Sequence, residues 1–336
     1  AAARVSELTR GAQQLRLASM WFCSLHADDV NHSVANASHV FSAAASLGCR
    51  GVRTDISWKD LEPSPGVHDD KRIAFYREYF ATACASGLAP FPVLSQAPTW
   101  AKDLYSSNST AFYAAAESYA AFALQLVAPC AAQPLRVQLW NELNHLPSHW
   151  IRSGACELLS ALGRGARRAN ATAQLWVNAM ADDPLWHRAV DGWIDCAGTH
   201  IDAVGVDHYP GTWTLSSWTD WAPLDRLLNA TSATGAWAGR AAGVLETGYS
   251  SWSSVVASEA MQASWVNASL PAMRARVRAA GAASRFEVAN WYTLLDGVHT
   301  GVPPEEAHFG VLRPGTLERK PAFEVLADQL RVSLNS

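Results

Sequence analysis

The sequence predicts an α/β protein: a closed parallel (β/α)8 barrel, in a single domain over residues 1–336. Three observations carry that expectation. Eight short apolar runs recur every 30 to 45 residues. Most intervals between them hold an Ala-rich stretch of helical period. The runs themselves are too apolar to be wet on either face, which is how strands read when helices cover a parallel sheet.

In order, the runs are LRLASMWF (15–22), CRGVRTDIS (49–57), LAPFPVLS (88–95), LRVQLWNE (135–142), AQLWVNA (173–179), DAVGVDHY (202–209), AGVLET (242–247) and FEVANWYT (286–293). Each is six to nine residues, mostly β-branched, aromatic or aliphatic, ending on or followed by polar or special residues, as expected of a buried strand that opens into a loop. The helical stretches are 39–47, 71–85, 110–127, 156–168, 224–228 and 255–279, with a last helix at 321–330 after the eighth run. The competing architecture is an open doubly wound sheet. No Gly-rich phosphate loop follows the first run, and the nearest match, GRGARRAN at Gly163, lies late in a helix.

Composition narrows the function classes. A net charge of -4 with 17% charged residues and no like-charge run argues against nucleic acid or an anionic membrane as partner. No apolar run approaches the roughly 20 residues that span a bilayer. AAARVSELTR lacks a signal-peptide profile, so the sequence reads as a mature chain. Six of the eleven Asn precede x-Ser/Thr without an intervening Pro, namely Asn31, Asn36, Asn108, Asn170, Asn229 and Asn267. That frequency and six cysteines, none in a C-x-x-C pair, point to a glycosylated, disulfide-bonded protein of the eukaryotic secretory route. Fifteen pairings of six cysteines are possible, and spacing does not choose among them. The fifteen Trp offer flat apolar faces that suit sugar rings, although most indoles in any fold are core.

In a closed barrel the strand C-termini converge on one mouth. Glu142 ends the fourth run and Glu246 the seventh. Arg53 and Asp55 lie on the second, Asp207, His208 and Tyr209 on the sixth, and Trp291 on the eighth. Two carboxyls across a cleft are what acetal hydrolysis needs, one to protonate the leaving oxygen and one to trap the oxocarbenium ion. His26, Asp28 and Asp29 follow the first run, as hydroxyl ligands or helix caps. His145 and His149 have i, i+4 spacing, but Pro147 lies between them and no third ligand is evident, so no metal or other cofactor is expected.

LWNELNH and, 104 residues later, VLETGYS resemble the fourth- and seventh-strand signatures of clan A retaining glycoside hydrolases. GVRTDISWKDLEPSPGV, PFPVLSQAPTWA, GVDHYPGTW, ANWYTLLDG and FGVLRPGTLERKPAFEVL are similar to further segments of that clan along nearly the whole chain, in a style closest to families 5 and 39. The resemblance implies a secreted β-glycosidase acting as a monomer on carbohydrate, with Glu142 as acid/base and Glu246 as nucleophile. It implies that Asn141 contacts the sugar 2-hydroxyl, that Arg53 keeps Glu246 ionised and that Trp291 floors the subsite of cleavage. The clan commonly has His, one residue, then Tyr on the sixth strand. Here His208 and Tyr209 are adjacent, and alternation lets only one of them, with Asp207, face the cleft; Tyr209 is the one expected to bond the nucleophile. Trp100 and Trp213, beside Trp58, Trp140 and Trp252, are candidates to stack on a ring. The rival functions are a catalytically silent glycan-binding barrel and a transglycosylase with the same first step.

Overall fold

A computed structural model of the chain describes residues 21–127, 134–213, 216–252, 257–297 and 304–335. Eight parallel strands close in sequence order: β1 (Trp21–Ser24), β2 (Gly51–Ser57), β3 (Ala89–Ser95), β4 (Arg136–Leu139), β5 (Gln174–Met180), β6 (Ala203–Asp207), β7 (Ala241–Thr247) and β8 (Arg285–Trp291), with β8 pairing back onto β1. Around them lie α1 (Val34–Leu47), α2 (Asp70–Ala85), α3 (Thr99–Ser107), α4 (Ser109–Gln125), α5 (Ala155–Ala169), α6 (Trp186–Ala197), α7 (Ala222–Thr231), α8 (Glu259–Ala280) and α9 (Pro321–Asn335). Of the expected first strand, Trp21 and Phe22 fall in β1 and residues 15–20 lie outside the described residues, as do Val255 and Val256 at the expected start of the helix that becomes α8. Helix α6 has no counterpart among the expected helices, since WHRAVDGWIDCA is short and opens without a capping side chain.

Local chemistry fixes the ends of several other helices. Ser33 accepts from the Asn36 N–H at the start of α1, and Gly48, with φ 106°, closes it. Asp69 accepts from the Lys71 and Arg72 N–H groups at the start of α2, and Asn108 from Ala111 at the start of α4. Apolar side chains on the outer strand faces meet the helices in one continuous core.

Inside the barrel a second, smaller cluster of Phe22, Phe91, Trp176, Ala203, Ala241, Leu245 and Val288 plugs the floor. Bulky rings from some strands need gaps on others. A Cβ on Gly51 would fall 2.2 Å from the Phe22 ring, and one on Gly205 would fall 2.3 Å from Leu245. With this floor filled, any polar inward residue nearer the strand C-termini stands on a dry base and faces the mouth.

Two disulfides are described, Cys23–Cys49 (Cα–Cα 6.1 Å) and Cys156–Cys196 (5.7 Å). Cys84 is also disulfide-bonded, and Cys130 lies outside the described residues. Among the described residues no helix is long and apolar enough to cross a membrane.

Candidate active site

Strand alternation places Arg53, Gln138, Asn178, Asp207 and Asn290 one layer above the floor. Register irregularities in β7 then decide the position of Glu246. Val206 pairs with Val244 but Asp207 with Glu246, so Leu245 is passed over. Without that shift, Leu245 in the floor would send Glu246 outward to the helices; the extra residue brings both to the inside.

Arg53 is buried and organises the centre. Its Nη2 meets Glu246 Oε1 at 2.8 Å and donates to Asn141 Oδ1 at 3.0 Å, while Nε donates to Gln138 Oε1 at 2.9 Å. The Tyr209 hydroxyl donates to Glu246 Oε2 at 2.6 Å. Burial pushes the Glu246 carboxyl above its ordinary value, while Arg53 and Tyr209 pull it back toward the ionised form. Asn141 Oδ1 also accepts from Gln138 at 2.9 Å and from Asn178 at 2.9 Å. With its oxygen engaged three times, Nδ2 is the end left to donate.

Glu142 follows Trp140 and Asn141 just beyond β4, and its backbone is strained. Trp140 has φ 71° and Glu142 φ 45°, uncommon values without glycine. The Glu142 N–H is held by Asn178 Oδ1 at 3.0 Å, and Oε2 lies 3.3 Å from His145 Nδ1. The bond to Glu142 raises the His145 imidazole above its ordinary value. Asn144 locks the segment to β5, donating to the Met180 carbonyl at 2.9 Å and accepting from its N–H at 3.0 Å. One oxygen each of Glu142, Asp207 and Glu246 lie within 4.8 Å of one another.

Asn141, Glu142 and His145 line a cavity of about 740 Å³. Trp140, Trp150 and Tyr292 supply its aromatic walls; His26, Asp55, Ser95 and Glu306 supply polar ones. His26 Nδ1 meets Asp55 Oδ2 at 2.8 Å, and Ser95 donates to Asp55 Oδ1 at 2.7 Å. Burial alone would lower the His26 imidazole, but Asp55 and the neighbouring carboxylates carry it up to about 9. Burial likewise opposes ionisation of Asp55, yet His26 and Arg53 hold it at about 2. Burial, then Glu246 and Glu142, push Glu306 up to about 7.

Several expected site residues are elsewhere, and each displacement has a physical cause. Trp291 follows inward-facing Asn290, so alternation turns it out of the barrel. It is fully buried, 6.0 Å from the Trp265 ring of α8. Tyr292, the next residue, takes the aromatic place in the cavity. His208 likewise turns away from the cleft, its ring nitrogens satisfied by Asp182 at 3.2 Å and the Asp220 carbonyl at 2.7 Å. Trp100 is not in the cavity lining; it stands edge-on to Trp58 and donates to the Glu62 carbonyl at 3.0 Å. Trp213 packs behind Tyr209, against Phe309. Asn31, Asn36, Asn108, Asn229 and Asn267 are exposed and Asn170 is half-buried.

Gln138, Asn178, Trp150, Tyr292 and Glu306 are not among the residues the sequence singles out. Asn178 carries a legible signal, a lone amide inside the apolar run AQLWVNA. Among the described residues a second group that could hold an ion, Asp28, His32 and Asp60, lies near the rim. There the imidazole stands between the carboxylates, Nδ1 3.4 Å from Asp28 and Nε2 3.7 Å from Asp60. In the central cluster the Arg53 guanidinium already neutralises Glu246.

No protein-family model matches the chain, and no curated protein matches it in sequence. Solved structures do resemble it. An exo-β-1,4-mannosidase from Opitutaceae bacterium strain TAV5 is similar with a TM-score of 0.73 and 17% identity, over 94% of this chain and 59% of that one. A family 39 glycoside hydrolase from Bacteroides cellulosilyticus WH2 gives 0.65 and 16%, over 95% and 65%. A GH5_18 variant from Bifidobacterium longum, solved in complex with Manβ1-4GlcNAc, gives 0.69 and 16%, over 94% and 79%. The likeness is one of fold. This chain spans less than two thirds of the length of the first two proteins.

Proposed function

We propose that the chain is a secreted retaining β-glycoside hydrolase, its single barrel cleaving a β-linked glycan or glycoside by double displacement. The observation that carries this reading is the pair of glutamates, half-buried Glu142 and buried Glu246, with carboxyl oxygens within 4.8 Å across the mouth. Retaining glycosidases hold their two carboxyls about 5–5.5 Å apart, whereas inverting enzymes leave room for a water between them. The environments of the two also differ as the roles require. Arg53 and Tyr209 bond both oxygens of Glu246 and favour a carboxylate that can attack. Among the described residues Glu142 has no cationic partner beyond His145.

In the first step Glu246 Oε attacks the anomeric carbon while Glu142 protonates the departing glycosidic oxygen, leaving a glycosyl ester on Glu246. In the second, Glu142 takes a proton from water, the resulting hydroxide attacks the same carbon, and the ester bond breaks. Asn141 Nδ2 donates to the sugar 2-hydroxyl, a bond that strengthens as charge builds at the ring. The His26–Asp55 pair and Tyr292 line the same pocket and bind the remaining ring hydroxyls and face. Two disulfides and six surface-accessible glycosylation acceptors support passage through the secretory route.

The mannosidase activity and the mannose-containing ligand of two similar structures make β-mannosides the first substrates to try. The test is a panel of aryl β-mannosides, β-glucosides and β-linked polysaccharides with wild type beside Glu246→Gln. Wild type should cleave at least one with retention of configuration, and the variant none. A silent wild type, or full activity in Glu246→Gln, contradicts the proposal.

A further inference from the structure

The reaction above uses two carboxyls, but the site gathers three. Asp207, at the end of β6, has no solvent exposure. Its Oδ2 accepts from Asn178 Nδ2. That amide cannot be turned over, because Asn178 Oδ1 is occupied by the Glu142 N–H at 3.0 Å and Nδ2 also serves Asn141. The other oxygen, Oδ1, is buried with no donor in reach among the described residues, and Glu142 Oε1 is in the same position. An oxygen of each carboxyl lies within 4.8 Å of one of the other. Two acceptor-only oxygens in a dry pocket repel, and burying an unpaired anion is costly. A proton between them removes both penalties.

The geometry points to Asp207 as a carboxylic acid that donates from Oδ1 to Glu142 Oε1, making it the positioning residue of the acid/base glutamate. The charged groups facing it agree. Glu246 on β7 and Glu142 beyond β4 disfavour a third anion, and burial adds to them. Among the described residues Arg53 on β2 opposes them, and its shortest carboxylate contact is with Glu246. Held at Oε1, Glu142 is left with Oε2, the oxygen near His145, to reach the glycosidic oxygen. As Oε2 gives up its proton, the bond from Asp207 stabilises the carboxylate that forms. Asp207 keeps its own proton throughout.

This inference rests on Glu142 as the acid/base, and the experiment separates the two. Asp207→Ala, Asp207→Asn and Glu142→Ala are assayed on phenyl and 2,4-dinitrophenyl β-mannoside, whose leaving groups differ in their need for protonation. Asp207→Ala should lower kcat/KM on the phenyl substrate by about 30-fold, the scale of one bond to a charged group, and on the dinitrophenyl substrate by no more than about threefold. Asp207→Asn, neutral and still a donor, should recover most of the loss and leave the alkaline limb of the pH profile in place. Equal losses on both substrates, no rescue by Asn, or an alkaline limb lowered by about one unit in Asp207→Asn would overturn the assignment. If Glu142→Ala itself loses equally on both substrates, the acid/base reading fails first.

Discussion

Replacing Tyr209 by Phe removes one hydroxyl and nothing else from the nucleophile's surroundings. In the native site the two Glu246 oxygens divide their partners, Oε1 with Arg53 at 2.8 Å and Oε2 with Tyr209 at 2.6 Å. Both residues are buried, so water does not readily replace the lost donor. A hydrogen bond to an ionised group is worth about 1.5–3 kcal/mol, which is about one to two pH units of carboxyl titration. The sign follows from which form the bond favours. Tyr209 stabilises the carboxylate, so its loss raises the folded-state value of Glu246 further. The acid limb of kcat/KM, followed with an aryl β-mannoside between pH 4 and 8, should therefore move up by one to two units in Tyr209→Phe. Activity should be lost mainly on the acid side. A uniform loss with an unmoved limb, or no change, would mean that the hydroxyl does not tune the nucleophile.

The remaining expectations concern the charged cavity wall. His26, raised from 6.5 to about 9, contributes stability that is complete below pH 6.5 and lost as pH rises through about 9. Asp55, lowered from 3.8 to about 2, contributes stability present above 3.8 and lost as pH falls through about 2. The drop in melting temperature caused by Asp55→Asn should thus be greatest between about pH 4 and 6.5 and shrink toward pH 9 and above; an equal drop from pH 4 to 10 would contradict the ion pair. Glu306, pushed up to about 7, should add a transition near neutrality to the wild-type pH profile. Glu306→Gln should abolish that transition, and an identical profile in the two proteins would show that Glu306 does not act on the carboxyl pair.

The barrel was legible because burial on both strand faces leaves a strong mark, the recurring apolar run. The carboxyl pair was legible because Glu142 and Glu246 each end such a run inside a distinctive segment. What alternation controls was harder to read. Trp291 looks like the cleft aromatic of ANWYT, but Asn290 claims the inward position, and Tyr292 faces the cavity instead. The register shift beside Leu245 leaves no trace in AGVLET, although it aims Glu246 to the inside. Asn178 and Asp207 are single polar residues in apolar runs, a detectable signal whose meaning depends on which strands adjoin. The places of His145 and Asn144 depend on neighbours that LWNELNH does not show: Asn144 ties the segment to Met180 on β5, and His145 meets the Glu142 carboxyl.

The most direct measurement is covalent trapping with a 2-deoxy-2-fluoro-β-mannosyl fluoride or its gluco counterpart, followed by peptide mass spectrometry. A retaining enzyme with the assigned roles should gain one fluoroglycosyl group, on the peptide containing VLETGYS, at Glu246. Label on Glu142 would reverse the two roles, and turnover of the substrate panel with inversion and no trapped ester would contradict the double displacement.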